Sequence, residues 1–338
     1  MFFTDLVHYV RTGDFIVALI NNSRNIDEYA FALGALSHYS GDAIGHSQGV
    51  NEAAPLIYPK LAVYGSSVTY AESRSAIKKT EFGFDVLEMA HGNYAPQSYH
   101  NFIGFKVSKD LLERAFEETY SIPMKDLFTS LDLALASYRT TVSKLFPEAA
   151  KLAWRIKESE ICKASPAISE EKNIYRLARS DCEHQWGPEH ERLGLGTKTL
   201  GILVRILPRV GLLKNLSFKP PTPESEKLFA QSFEASAQNY KFLLNDLRDG
   251  KLRLDNSNFD TGKPIKAGEY SLCDATYAKL LNRLNKRQYQ NLSTSLRDNI
   301  LEFYGDFGSS AATTMNRKIV RQVNQLKTGP TQTQAGHS

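Results

Sequence analysis

The stretch Tyr29-Ala-Phe-Ala-Leu-Gly-Ala-Leu36-Ser-His38-Tyr-Ser-Gly-Asp42-Ala-Ile-Gly-His46 decides how this chain is read. Its first half, Tyr29 to Leu36, is apolar nearly all round, the pattern of a buried helix. Its second half sets His38, Asp42 and His46 at i, i+4 and i+8, and residues four apart share one face of an α-helix. Imidazole nitrogen and carboxylate oxygen are donors that zinc accepts. One turn of helix lets His38 and Asp42 share an ion, and Asp42 and His46 share a second. About 12 Å of helix rise between His38 and His46 keeps all three off a single ion. The stripe therefore points to two metals with Asp42 able to bridge, an arrangement suited to phosphoester hydrolysis. The competing reading is a set of hydrogen-bonded polar residues. Either way, buried ionisable groups continuing an apolar helix need partners.

Working outward, helical periodicity dominates and strand-like alternation is scarce, so the fold class is all-α. Residues 4–20 read as one helix, and Asn25 or Asp27 is placed to cap the ligand helix that follows. Ser47 to Pro59 reads as a loop because of Gly49 and Pro55. Further helices are expected over 70–91, 108–119, 124–161, 169–186 and 223–248. Residues 249–270, rich in Asn, Asp and Gly, read as a linker or long surface loop, followed by helices near 272–287, 292–304 and 310–326. The tail over 328–338 has no apolar content beyond one alanine and is expected to be disordered.

The 338 residues suffice for one large helical domain or two modest ones. A net charge of +4 is too mild to signal nucleic acid. The three cysteines, Cys162, Cys182 and Cys273, are odd in number and form no C-x-x-C, which argues against a disulfide framework or a thiolate zinc site. No apolar run approaches the ~18 residues of a membrane span, and the beginning of the sequence lacks a signal-peptide pattern. Neither a G-x-S-x-G elbow nor a P-loop is present, so serine-hydrolase and P-loop NTPase chemistry fall away. Residues 200–219 mix apolar bulk with basic residues and no acid, a composition suited to peripheral contact with a lipid interface or to a core hairpin with snorkelling basic groups. His91 and His100 flank a Gly-Asn-Tyr-Ala-Pro turn and read as loop histidines.

The words around the ligand stripe carry a resemblance. Phe31-Ala-Leu-Gly-Ala-Leu-Ser-His38-Tyr-Ser-Gly-Asp42, Gly45-His46 and Val50-Asn51, with Leu56-Ile-Tyr-Pro-Lys-Leu61, Thr80-Glu-Phe-Gly-Phe-Asp-Val86, Tyr99-His-Asn-Phe-Ile-Gly-Phe105 and Phe218-Lys-Pro-Pro-Thr-Pro-Glu224, resemble the bacterial zinc-dependent phospholipase C family. The likeness covers most of residues 1–250. It implies a multi-helix bundle shared with single-strand-specific zinc nucleases, up to three zinc ions, and hydrolysis of phospholipid head groups or another phosphodiester. It also implies a domain over 1–250 and a C-terminal helical extension over 251–327. His38, Asp42 and His46 match the family's ligand helix, and His8 matches an earlier histidine ligand. Glu81 matches the acid of a His-x3-Glu pair, but Ile77 stands where that histidine belongs. The family pattern sets a further His and Asp upstream of His8, and this sequence begins inside that region. The expectation is a zinc-dependent phosphodiester hydrolase with fewer than three ions and weak turnover. The alternatives are a nuclease on the same fold and a metal-binding or structural relative without catalysis.

Overall fold

The structure, a computed structural model, describes residues 2–90, 107–142, 149–160 except 151, 155 and 158, 217–305 and 317–328. The expected helix over 169–186, most of the 200–219 stretch, Cys162, Cys182, His91, His100 and the tail beyond Thr328 lie outside these residues. Among the described residues every regular element is a helix, apart from one isolated bridge between Ser257 and Pro264. The protein is all-α. No described helix is long and apolar enough to cross a membrane.

The first expected helix is two. Phe2–Tyr9 form α1 and Thr12–Asn21 form α2, broken where Arg11 adopts a left-handed backbone at φ 49°. A non-glycine residue pays for that conformation, and fixed contacts hold it there. Arg11 donates to Asp14 (2.7 Å) and to the Thr119 carbonyl (2.8 Å), and the Tyr120 hydroxyl takes up the Val10 carbonyl (2.9 Å). After Asn21 the ligand helix α3 runs Ile26–Ile44. Asn25 caps it, accepting the Glu28 amide (2.9 Å), while the Glu28 carboxylate reaches back to the Arg24 amide (2.8 Å).

Only one stripe of α3 is buried: Glu28, Ala32, Leu36, Tyr39 and Ser40. The all-round apolar pattern did not produce an all-round buried helix, because Ala30 and Gly34 are too small to demand cover and stand exposed. Beyond Ile44 the chain leaves α-helical register for a π-helical turn, Gly45–Val50, and then forms α4, Asn51–Ile57. The expected 47–59 loop is therefore mostly helical. Pro55 sits inside α4, and the Asn51 carbonyl that its missing N–H leaves free accepts the Val68 amide (2.9 Å).

A 3₁₀ turn over Pro59–Tyr64 leads to α5, Tyr70–Ala90, which is kinked at Ser73. Then come α6, Lys109–Tyr120, and α7, Leu131–Thr140. The long helix expected over 124–161 is interrupted: a 3₁₀ turn, Met124–Asp126, precedes α7. The later helices are α8, Pro223–Arg248, α9, Ser271–Lys286, α10, Thr294–Gly305, and α11, Arg317–Thr328.

Packing divides the chain into two units. One holds residues 1–43, 107–132 and 237–338, the other 44–106 and 133–236. In the first, α1 packs on α2 and α9, α2 on α6, and α11 on α9 and α10. Its core is aromatic: Phe116 lies against Tyr120 at 4.7 Å between ring centroids, and Tyr277 stacks on Phe303 at 3.7 Å. Cys273 is buried there as a free thiol, and burial pushes its pKa up, consistent with an inert packing residue. In the second unit α4 packs on α5, and Val50, Ala54, Val68 and Ile77 form one apolar cluster. Phe84 stacks on Phe229 in another.

Candidate metal centre

The first unit brings together residues from two helices. His8 stands in the last turn of α1, and His38 and Asp42 share one face of α3. Both imidazoles present Nε2 to the same oxygen. His8 Nε2 lies 3.3 Å and His38 Nε2 3.2 Å from Asp42 Oδ2, and one donor atom from each residue falls within 4.8 Å of the others. Two donors of one tetrahedral zinc, each about 2.0–2.2 Å from it, stand roughly 3.3–3.5 Å apart. Each histidine nitrogen therefore stands from the Asp42 oxygen at about the spacing of neighbouring zinc ligands.

Orientation agrees with the spacing. His8 Nδ1 contacts the Thr4 carbonyl at 2.7 Å. A carbonyl only accepts, so Nδ1 carries the proton, and Nε2 is the nitrogen left to face Asp42. Burial alone would lower the His8 pKa. The hydrogen bond and charge of Asp42, the Thr4 carbonyl and the charge of Asp260 outweigh it and raise the value. A cation is thus favoured at this point, whether a proton or a metal. His8 and Asp42 are mostly covered, but the His38 side chain is 58% exposed, against the expectation of a desolvated stripe. The centre opens to water on the His38 side.

A third wall comes from the 249–270 segment. Phe259, 2% exposed, lies edge-on to His8 (5.4 Å), His38 (6.2 Å) and Tyr39 (5.5 Å), and its amide donates to the His8 carbonyl (3.2 Å). Beside it Asp260 is buried and accepts the hydroxyls of Tyr9 (2.8 Å) and Tyr270. The stretch read as linker or surface loop is thus clamped in place. Phe259 was missed because polar neighbours dominate the composition of its segment. A lone large aromatic in Asp255-Asn-Ser-Asn-Phe259-Asp260 was the available signal.

The second unit holds His46 and Glu81. His46 Nδ1 is buried without a hydrogen bond, 3.7 Å from Glu81 Oε1. Both oxygens of Glu81 accept the Tyr70 hydroxyl (2.7 and 2.9 Å). One turn before Glu81, Ile77 is fully buried in the cluster of Val50, Ala54 and Val68. Burial, with the charges of Glu81 and Glu88, pushes the Asp85 carboxyl up to about 7. The α-helical register assumed between Asp42 and His46 is not kept, since the chain turns π-helical at Gly45.

Residues 1–130 match the family model described as zinc dependent phospholipase C. This part of the chain is similar to the zinc-dependent phospholipase C family. No curated protein and no solved structure matches the chain. For a family that depends on zinc, the two sets of residues fit the metal unequally. The His8, His38 and Asp42 set supplies three converging donors. The His46 and Glu81 set supplies two, and Ile77, one turn before Glu81, is buried among apolar side chains.

Proposed function

We propose that this protein is a zinc-dependent phosphodiester hydrolase of the phospholipase C type, cleaving phospholipid head groups, with its principal zinc at His8, His38 and Asp42. The observation that carries this reading is the convergence of two Nε2 atoms on one Asp42 oxygen at 3.2 and 3.3 Å. Three protein donors leave the fourth position of a tetrahedral ion open, as in catalytic rather than structural zinc sites. Zinc held there supplies Lewis acidity toward a phosphoryl oxygen and acidifies water near neutral pH. The chain's own residues do the rest. Thr4 fixes the His8 tautomer, Asp42 joins the two helices at one point, and the exposed side at His38 admits substrate. His46 and Glu81 form a weaker second site whose donor set is short by one.

A second reading is a metal-binding relative without turnover, favoured by Ile77 at the position where the family pattern has a histidine. Hydrolysis separates the two. Zinc-loaded full-length chain is expected to release phosphocholine from phosphatidylcholine vesicles, and Asp42→Ala to abolish the release. Release by wild type and Asp42→Ala alike would overturn the assignment. Zinc uptake without release would favour the second reading, and cleavage of single-stranded DNA instead of lipid would make the protein a nuclease.

A further inference from the structure

The family match ends at residue 130, yet the ring packed against both histidines belongs to residue 259. We infer that Phe259 is a positioning residue for the metal centre, holding the His8 and His38 rings so that both Nε2 atoms face Asp42. The inference rests on the proposed metal site and adds to it a part from outside the matched region.

Geometry carries the argument. A histidine on a helix can turn about two side-chain bonds, and two ligand rings converge only if both are stopped from turning. The His8 and His38 rings stand nearly perpendicular, 79° apart with centroids 5.7 Å from each other. Phe259 meets His8 at 70° and His38 at 84°, so one flat ring borders both. Edge-to-face contacts of this kind favour one relative orientation of the rings. The Thr4 carbonyl gives the His8 ring a second restraint, whereas the described contacts of the exposed His38 ring are Phe259, Asp42 and the His8 ring itself.

Phe259 is itself held. Its amide bonds the His8 carbonyl, the Thr12 hydroxyl donates to the Ser257 carbonyl (2.8 Å), and the Asp14 amide donates to Asn256 Oδ1 (3.1 Å). Asp260 accepts the hydroxyls of Tyr9 and Tyr270. These bonds tie the loop to both α1 and α2.

Phe259→Leu in the full-length chain tests the inference, because leucine keeps apolar bulk and removes the flat ring. Two readouts are compared with wild type: the imidazole NMR signals of His8 and His38 without metal, and the affinity for zinc and cobalt(II) by chelator competition. Both imidazole signals are expected to move, zinc affinity to fall about 10-fold or more, and the cobalt(II) visible band to change, while far-ultraviolet dichroism stays that of wild type. Tyr270→Phe, which loosens the Asp260 anchor, is expected to do the same more weakly, and serves if Phe259→Leu does not fold. Unmoved imidazole signals with unchanged affinity would overturn the inference. Wild-type protein that takes up neither metal would sink the metal reading alone, since the imidazole signals still report whether Phe259 fixes the rings.

Discussion

The two units treat the same kind of chemistry differently. In the first, three donor groups converge and the surrounding groups support them: a carbonyl on His8, an aromatic wall at Phe259, a doubly hydrogen-bonded Asp260. In the second, His46 keeps a buried nitrogen without a hydrogen bond, Glu81 accepts the Tyr70 hydroxyl, and Ile77, one turn before Glu81, is buried in an apolar cluster. The difference teaches that a metal site is a matter of convergence more than of residue type. Both units have histidine next to carboxylate, but among the described residues only the first aims two nitrogens at one oxygen.

Removing that oxygen gives the largest expected effect. Asp42→Ala should lower zinc affinity by at least about 100-fold, more than losing a supporting contact costs, whereas Glu81→Ala should leave the tight zinc in place. Metal analysis by mass spectrometry after dialysis reads both. An equal loss in the two variants would break the comparison between the units.

The reverse change sharpens it. Ile77→His should let the second unit take up a further zinc, raising bound metal by about one equivalent. Without metal the same variant should lose roughly 2–3 kcal/mol, from the apolar contacts given up and a polar ring buried. Thermal melts with and without zinc test this. A loss of stability that zinc does not restore would mean that the second unit cannot house an ion even with its histidine returned.

How far the sequence reaches follows from the same contrast. The i, i+4 spacing of His38 and Asp42 placed them on one helical face because local periodicity dictates it, and α3 does carry them so. His8 came from family likeness alone, since nothing local ties it to His38 across 30 residues of chain. His46 shows the limit of extrapolation. An i+8 rule assumes unbroken α-helix, and one π-helical turn at Gly45 voids it. The break at Arg11 was equally invisible, because its left-handed backbone is stabilised by residues 119 and 120, far along the chain. Phe259 is the extreme case: its importance lies wholly in tertiary contact, which a polar local composition conceals. The all-α class was legible because it needs only periodicity, summed over many helices.

Gly13 offers a smaller, more local test of the first unit. A Cβ at this position would stand 2.6 Å from the Asp255 carbonyl oxygen and 2.7 Å from that of Leu254. Both obstacles are backbone, so the loop carrying Phe259 would have to move. Gly13→Ala should cost about 1–3 kcal/mol by overpacking and weaken zinc binding with it. The same variant with stability lost but zinc affinity intact would show that the loop's seat on α2 does not matter to the ligands.

The smallest expected effect separates support of the fold from support of the site. Glu28 anchors the beginning of α3, pairing with Arg114 at 2.7 Å and bonding the Arg24 amide. Burial alone would raise its pKa, but the Arg114 hydrogen bond, the Arg24 amide and both guanidinium charges prevail, and the value is lowered. A carboxylate with a depressed folded pKa stabilises above its unfolded value, near 4.3, and that contribution is lost as pH falls through the folded value. Glu28→Gln should therefore cost about 1 kcal/mol at pH 7, and the gap to wild type should narrow as pH falls below the unfolded value and through the lower folded one. Zinc stoichiometry should not change, because His38 and Asp42 lie more than two turns farther along α3. Urea melts at pH 7 and pH 3.5, with metal content at pH 7, check both halves. A gap that does not narrow at all between pH 7 and pH 3.5 would place the Glu28 contribution in packing and not in charge, and lost zinc would tie the α3 cap to the ligands themselves.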